Sequence, residues 1–225
     1  MSMKNKKDKN KKIKKPNRVY AFFYALLAKL IRGLFRIRVI NAENEPLEGG
    51  FMLVSNHASG FDPVLICASM QQQICFMGKK ELFKIPILGG FLKSLGGYPI
   101  DRAGADISAI KITVNLLKEG KCVGMFPQGT RHPGKHPRET EVKNGVSLIA
   151  ARSGADVLPV CIKTQKHKPK LFRRTYIIIG KLIKNEELGL NVENEKGNAL
   201  YHKVAERIFA DVCDLCDTEV ENAKK

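Results

Sequence analysis

The stretch that decides the fold runs from Phe51 to Met70 and reads FMLVSNHASGFDPVLICASM. Its opening run, FMLVS, is typical of a strand buried on both faces. Pro63 suits the first turn of a helix and Asp62 the cap just before it, so a tight loop leaves the strand through His57. This order predicts a strand, a short loop and a helix over 63–70, with the side chains of His57 and Asp62 facing each other.

Short apolar runs alternate with helical patterns through the rest of the chain. Further strands are predicted at 74–77, 122–126, 157–162 and 175–180. Further helices are predicted at 80–95, 105–118 and 140–153, followed by a closing amphipathic helix over 195–216. This rhythm predicts an α/β domain with a mostly parallel central sheet flanked by helices, and functional residues are expected where the strands end.

The composition narrows the kind of partner. The chain has 225 residues and a formal net charge of +17, from 39 Lys+Arg against 22 Asp+Glu. Its hydrophobic fraction of 44% excludes a disordered or fibrous chain for most of its length. The charge requires nucleic acid, an anionic membrane surface or a phosphorylated substrate as partner. Few aromatic residues for stacking and no zinc-finger or helix-turn-helix spacing leave a nucleic-acid-binding module only as a distant alternative.

The N-terminal region combines a basic tail with an apolar helix. Residues 1–18 are predicted to be a disordered basic tail, because eight lysines fall in the first fifteen residues. Residues 19–40 are predicted to form an amphipathic membrane-associating helix, with Lys29, Arg32 and Arg36 on one face among lipid headgroups. Its ten uninterrupted apolar residues are too few to span a bilayer, which takes about 20. We expect peripheral or monotopic attachment to the cytoplasmic face of an anionic membrane, with a helix packed on the domain as the alternative.

Six cysteines are spread too thinly over the chain for a disulfide-stapled scaffold. This usage favours a reducing compartment. Cys213 and Cys216 make one C-x-x-C pair in the closing helix, and one pair lacks the four ligands of a zinc site. Both residues are predicted to be buried or half-buried thiols.

The pairing of His57 with Asp62 predicts a general base. A carboxylate on one imidazole nitrogen fixes the tautomer, so the other nitrogen is able to accept a proton. Ser59 lies in the loop, but no G-x-S-x-G elbow surrounds it, so the proton is expected to come from a hydroxyl of the substrate. The alternative is that Asp62 only caps the helix and His57 is a satisfied loop histidine.

Basic residues follow other strands of the predicted sheet. Lys79 and Lys80 follow one strand, Arg102 a second and Arg131 a third. Arginine suits fork-shaped recognition of phosphate, and Gly129 lets backbone N–H groups approach the same oxyanion. Each cation alone has the alternative of a solvated surface charge, but their shared position at strand ends predicts a phosphate site.

Four stretches, NHASGFD, GGYPIDR, FPQGTRH and VLPV, resemble the four ordered motifs of the lysophospholipid acyltransferase family, specifically the bacterial 1-acyl-glycerol-3-phosphate acyltransferases. They extend from Asn56 to Val160, about half of the chain. The resemblance implies transfer of a fatty acyl chain from acyl carrier protein or coenzyme A to the 2-hydroxyl of 1-acyl-sn-glycerol-3-phosphate. The product would be phosphatidic acid, for phospholipid biosynthesis. Another lysolipid acceptor, such as a lyso-ornithine lipid, is the alternative.

The same motifs imply a role for each matching residue. His57 is implied as the general base and Asp62 as its partner. Substrate-binding roles are implied for Lys79, Lys80, Arg102, Gln128, Gly129, Thr130 and Arg131. Where the family usually has Glu, this chain has Gln128, whose amide still offers an acceptor oxygen.

The chemistry implied by the resemblance is direct transfer within an acyltransferase domain over 41–225. We expect no acyl-enzyme, because the thiolate of the thioester leaves readily. We also expect no metal and no cofactor, since the acyl carrier protein or coenzyme A thioester is a cosubstrate. Residues 82–92 are predicted to form a helix packed in the core, with an acyl groove as the alternative.

One histidine pair invites a metal interpretation. His132 and His136 lie four residues apart, but Pro133, Gly134 and Pro137 exclude a regular helix there. We therefore expect a mobile loop beside the site, not a metal centre.

Overall fold

The computed structural model describes residues 18–100, 106–190 and 198–220. Residues 1–17 of the predicted basic tail lie outside this described part. The α-helices are α1 (Arg18–Leu34), α2 (Asp62–Ser69), α3 (Leu88–Ser94), α4 (Asp106–Lys118), α5 (Gly145–Ser153) and α6 (Asn198–Asp217). The strands are β1 (Ile37–Ile40), β2 (Phe51–Ser55), β3 (Ile74–Lys79), β4 (Tyr98–Ile100), β5 (Cys122–Met125), β6 (Asp156–Thr164) and β7 (Thr175–Ile179).

Within the described residues the strands form a seven-stranded sheet in the order β1-β7-β6-β2-β5-β3-β4. The five strands from β6 to β4 run parallel to one another. β7 pairs antiparallel with β6 and parallel with β1, so these last two strands run the opposite way. The prediction of an α/β domain with a mostly parallel central sheet is confirmed.

Apolar side chains pack on both faces of the sheet. On β2, Met52 and Val54 pack on the face covered by α4, α5 and α6, whereas Phe51 and Leu53 pack on the face covered by α1 and α2. All four side chains are at most 1% exposed. Successive side chains of a strand point to opposite faces, so a strand that is apolar throughout needs a helical layer on each side.

The carboxyl ends of the parallel strands meet at one edge of the sheet, here called the carboxyl edge. β2 leads there into the loop of His57, β3 ends at Lys79 and β5 leads into the loop of Gln128. Because β2 lies next to β5, the loops that follow these two strands are neighbours in space although they are far apart in sequence.

The N-terminal helix is shorter than predicted. α1 ends at Leu34, and Ile37–Ile40 pairs with β7 as an edge strand, so the prediction of a helix to residue 40 is wrong. The β-branched residues of Ile37–Ile40 are suited to a strand. The Nε and Nη2 of Arg32, which is predicted to lie among headgroups, donate to the carbonyl oxygens of Ala68 and Ser69, at 2.6 and 3.1 Å. No helix among the described residues is long and apolar enough to cross a membrane.

The prediction that residues 82–92 pack as a helix in the core is also wrong. A 3-10 turn (Lys80–Lys84) is followed by the short helix α3, and Leu82, Ile85 and Phe91 are 40, 47 and 39% exposed. Phe83 is the inward residue of this segment. A Cβ at Gly89 would lie 2.2 Å from the carbonyl oxygen of Phe83, so only glycine allows α3 to close on the turn. The segment packs on itself, with Phe83 and Leu92 half-buried, and leaves most of its apolar residues exposed.

A disulfide bond joins Cys161 to Cys216, which corrects the prediction that Cys216 is a thiol. It links β6 to α6, and both side chains are at most 5% exposed. Cys213 is a buried free thiol, as predicted. The two bonded residues are 55 positions apart, a spacing that carries no sequence signal.

We predict that loss of this disulfide destabilises the protein. It closes a loop of 55 residues, for which the chain-entropy model gives a stabilisation of about 4 kcal/mol. Urea unfolding of a Cys161→Ser/Cys216→Ser variant measures the loss, with Cys213→Ser as the control from the same helix. Thiol titration of the unreduced, unfolded chain should find four thiols, and a count of six would contradict the assignment.

Candidate active site

The carboxylate of Asp62 holds the loop between β2 and α2 in shape. Its Oδ2 accepts hydrogen bonds from the backbone N–H groups of Ala58 and Ser59, both at 2.7 Å, and lies 2.8 Å from His57 Nδ1. Asp62 is fully buried and is the first residue of α2, with Pro63 next to it in the first turn. The carboxylate binds the preceding loop and no N–H of its own helix, so the interpretation of Asp62 as a helix cap is wrong.

The contact with Asp62 sets the tautomer of His57. A carboxylate only accepts hydrogen bonds, so Nδ1 carries the hydrogen and Nε2 keeps its lone pair. The imidazole stacks on the ring of Phe126, with centroids 4.1 Å apart and planes 12° apart, and its side chain is 17% exposed. Packing on one face and a bond at one nitrogen leave Nε2 as the basic atom of a fixed ring.

Ser59 does not supply a nucleophile to His57. Its hydroxyl oxygen accepts the N–H of Phe61 at 3.2 Å, and its own N–H is bound to Asp62. The hydroxyl therefore stabilises the loop. The expectation that the proton comes from a hydroxyl of the substrate stays a prediction.

Gln128 bridges the loops that follow β2 and β5. Its Oε1 accepts the backbone N–H of His57 at 2.6 Å, and its Nε2 donates to Thr140 Oγ1 at 2.7 Å. The hydroxyl of Thr140 donates in turn to the carbonyl of Pro137 at 2.6 Å, so its oxygen is free to accept from an amide. Gln128 is 5% exposed. These contacts favour a positioning role for Gln128 over the direct substrate contact that the motif resemblance implies.

The predicted cations that the structure describes lie at the same edge. Lys79 and Lys80 are exposed where β3 ends, and Arg131 is exposed in the loop after β5. A Cβ at Gly60 would lie 3.4 Å from Arg131 Nη1, which places this guanidinium over the His57 loop. Arg102 lies outside the described residues.

Gly129 and Thr130 complete the predicted set. Gly129 has a φ of +72°, a value that favours glycine, and a Cβ there would lie 3.0 Å from the side chain of Lys143. Thr130 Oγ1 lies 3.1 Å from His132 Nε2. The structure therefore groups Gly129, Thr130 and Arg131 in one turn beside the His57 loop. The carbonyl of His57 accepts the N–H of His132, the next residue, at 2.8 Å.

Residues 132–138 are anchored, which differs from the expected mobile loop. Arg138 pairs with Asp214 and Asp217 of α6, and His136 Nε2 lies 2.9 Å from an oxygen of Asp217. The carboxyl groups of α6, which follow one another by three residues on one helical face, account for this anchoring. Sequence reasoning missed it because the partners are more than 70 residues apart.

Sequence reasoning also missed Phe126 as a contact of His57. The sequence pattern indicates that Phe126 ends a strand but gives no sign of its contact with His57. The stacking of these two rings depends on the side-by-side position of β2 and β5. Its ring also stacks on that of Phe76, with centroids 5.5 Å apart. An aromatic row across β2, β5 and β3 therefore supports the imidazole.

The free thiol of Cys122, on the strand that leads to Phe126 and Gln128, is an unsuitable nucleophile. Burial raises the pKa of the Cys122 thiol to about 12, so it stays protonated near neutral pH. Its side chain lies at the start of β5, away from the carboxyl edge.

Comparison with known proteins identifies the class. Residues 36–163 match the family model described as acyltransferase, so the chain belongs to the acyltransferase family and is an enzyme of that class. This confirms the family resemblance of the four motifs.

The relatives define the type of acyltransferase that the chain resembles. It is 31% identical over 175 residues to the 1-acyl-sn-glycerol-3-phosphate acyltransferase of Bacillus subtilis, with 76% of this chain and 86% of that protein covered. It is 38% identical over 112 residues to the enzyme of the same name from Streptococcus pneumoniae, with 49% of this chain and 40% of that protein covered.

A solved structure shares the fold. The crystal structure of the 1-acyl-sn-glycerophosphate acyltransferase PlsC from Thermotoga maritima superposes with a TM-score of 0.66 at 24% identity. The match covers 93% of this chain and 86% of that one. The α/β architecture is therefore that of a known acyltransferase structure.

We predict that Gln128→Ala destabilises the protein and slows it. The buried N–H of His57 would lose its acceptor, which costs about 1–3 kcal/mol. Gln128→Glu should lose less, since a carboxylate oxygen still accepts from His57 and the Thr140 hydroxyl turns to donate to the other oxygen. Urea unfolding of the two variants tests the order, and equal stability of Gln128→Ala and the unsubstituted protein would refute it.

Proposed function

We propose that the protein transfers a fatty acyl chain from a thioester to the 2-hydroxyl of 1-acyl-sn-glycerol-3-phosphate, giving phosphatidic acid. The observation that carries this is the imidazole of His57, bound through Nδ1 to buried Asp62 and stacked on Phe126, with no hydroxyl of its loop bound to Nε2. Such an imidazole is suited to remove a proton from an incoming alcohol. The names of the bacterial relatives support this acceptor.

The reaction proceeds by direct transfer. As the 2-hydroxyl oxygen bonds to the thioester carbonyl carbon, its proton moves to His57 Nε2, and the adjacent Asp62 stabilises the imidazolium. The carbonyl π electrons move to oxygen. When they return, the carbon–sulfur bond breaks and the thiolate takes up the proton from His57. The ester forms, the thiol is released and no acyl-enzyme is required.

The loop itself limits which groups can stabilise the oxyanion. The N–H groups of His57, Ala58 and Ser59 are bound to Gln128 and Asp62, and that of Phe61 is bound to Ser59. The backbone N–H of Gly60 has no hydrogen-bond acceptor among the described residues. We assign it as an oxyanion donor, because preorganised backbone donors are the usual means of stabilising such a charge.

The acceptor phosphate is placed on the cations of the carboxyl edge. Arg131 lies over Gly60, so its charge is beside the base. Lys79 and Lys80 lie at the end of β3, two positions away in the sheet from β2. Arg102, the other arginine implied by the motifs, follows β4 by two residues in the sequence and lies outside the described residues.

A basic cavity suits the phosphate of the thioester donor. It has a volume of about 690 Å³ and lies where β6 ends and β7 begins, beside β2 in the sheet. Its cationic lining residues are Arg36, Lys163, Arg173 and Arg174, with Glu219 as an acidic neighbour. Acyl carrier protein and coenzyme A both carry the thiol on a phosphopantetheine arm, so one cavity serves either donor.

The N-terminal helix supplies a membrane contact. Leu26 and Leu30 are 59 and 55% exposed, whereas Ile31 and Leu34 pack on the core. α1 therefore packs on the domain through one side and presents apolar residues on another, which combines the two readings of this helix. The exposed side suits peripheral attachment to a lipid surface.

The test of this function is an assay with purified protein in vesicles. Each lysolipid is offered with acyl carrier protein and coenzyme A thioesters in turn. We expect the highest kcat/KM with 1-acyl-sn-glycerol-3-phosphate, and a rate for His57→Ala that is lower by about 10²–10⁴ because a positioned base is lost. Near-full activity of His57→Ala, or preference for a different lysolipid, would reject the base or the acceptor respectively.

We predict that Arg131→Ala weakens binding of the acceptor. Its contact with phosphate is expected in the ground state and the transition state alike, so KM for the lysolipid should rise about 10-fold or more while kcat changes little. Arg152→Ala, an exposed arginine near the end of α5, is the matched control. An unchanged acceptor KM would remove Arg131 from the phosphate site.

A further inference from the structure

The turn before α3 has an unusual backbone conformation. Ile87 has a φ of 66° and a ψ of −54°, and the N–H of Leu88 donates to the carbonyl of Pro86 at 2.7 Å. These values define the rarer γ-turn, with positive φ, which is strained for any residue that has a Cβ. For a β-branched residue such a conformation is an outlier.

The side chain on this turn is also exposed. Ile87 is 92% exposed, the largest value among the exposed large apolar residues of the described chain. Backbone strain and an apolar side chain in water are both unfavourable. Strain that persists in a fold points to a function of the strained residue.

Neighbouring residues extend the apolar surface around Ile87. Leu82, Ile85, Leu88 and Phe91 are each between 36 and 47% exposed. The ring of Phe83 faces inward, and the close approach of Gly89 to its backbone holds the segment in one shape. The apolar residues are therefore presented by a packed unit.

Lysines surround this apolar surface. Between residues 79 and 93 the chain has four lysines, Lys79, Lys80, Lys84 and Lys93, against the single acid Glu81. All four are exposed. Apolar residues at a tip with cations around them match a bilayer surface, where acyl chains lie below anionic headgroups.

The segment is directed toward the active-site edge. It starts at the carboxyl end of β3, and at the far end of α3 the carbonyl of Ser94 accepts the side-chain amide of Gln73, just before β3 begins. α3 thus runs back along β3, which leaves Ile87 at the carboxyl edge. A surface there is on the same side as His57.

We infer that Ile87 and the apolar residues around it insert into an anionic lipid bilayer and hold the active-site edge against it. This rests on the proposed function in expecting a lipid substrate. The strained turn fixes the angle at which Ile87 projects, and Lys84 and Lys93, which the proposed phosphate site does not use, bind the headgroups around it. The contact is additional to that of α1 and is made by a different part of the chain.

Vesicle binding tests the inference without turnover. Cosedimentation with vesicles of phosphatidylglycerol and phosphatidylcholine is compared for the unsubstituted protein, Ile87→Glu and the control Leu47→Glu. Leu47 is 64% exposed and precedes β2, at the opposite edge of the sheet. We expect Ile87→Glu to bind at least about 10-fold more weakly, from the apolar burial of one side chain, and Leu47→Glu to bind like the unsubstituted protein. Equal binding of all three would overturn the inference.

A glycine variant separates membrane contact from folding. Glycine tolerates positive φ, so Ile87→Gly should have an unchanged or higher Tm and yet bind vesicles more weakly. Activity on a water-soluble, short-chain acceptor should stay within about twofold in both Ile87 variants. Loss of that activity with normal vesicle binding would place Ile87 in the active site and refute the membrane role. If the unsubstituted protein is inactive but binds vesicles through Ile87, only the proposed reaction is refuted.

Discussion

The three hydrogen bonds to Asp62 Oδ2 are the constraint on which the site depends. A fully buried carboxylate is tolerated only when donors replace the water it has lost, and here they are two backbone N–H groups and one imidazole nitrogen. The other oxygen, Oδ1, is buried without a partner among the described residues, so the charge is satisfied through one atom. The same bonds therefore fix the loop backbone and the tautomer of His57. Removing the carboxylate would release both.

The parallel sheet brings the second half of the site to this loop. β2 and β5 are adjacent, so Gln128 reaches the backbone of His57 although 71 residues separate them. Phe126, two residues earlier, stacks on the imidazole from the same side of the junction. The position of β5 in the sheet, and not proximity in sequence, thus sets both the backbone position of His57 and the plane of its imidazole ring. The chemistry of the Asp62–His57 pair is local, but its orientation is a property of the sheet.

What the sequence predicts and what it leaves open follow the same division. The strand FMLVS, the loop and the helix after Pro63 were predictable because every signal lies within 20 residues. The contact of His57 with Asp62 was predictable for that reason. The role of Gln128 was not, because a buried bridge and a substrate contact use the same amide, and only the position of Thr140 separates them.

The errors have physical causes as well. IRVI continues the apolar pattern of α1, so composition alone cannot tell an edge strand from a longer helix, and pairing with β7 decides it. The disulfide joins residues that share no motif. Residues 82–92 are apolar enough for a core, yet only Phe83 and Leu92 among the large apolar residues are half-buried, and the other five are exposed.

The exposed apolar residues can be interpreted from where they lie relative to His57. Phe61 directly precedes Asp62 and is 54% exposed, while Phe172 is 67% exposed and donates its N–H to Leu34 at the end of α1. Ile87 lies at the same edge, on the other side of β2. In a monoacyl glycerophosphate the reactive hydroxyl lies between an acyl chain and a phosphate, hence at the boundary between apolar and polar layers. The imidazole of His57, at an edge with apolar residues outside and cations near it, has the same order of layers around it. A bilayer resting on that edge, as we propose, would bring the hydroxyl to Nε2 without lifting the acyl chain into water.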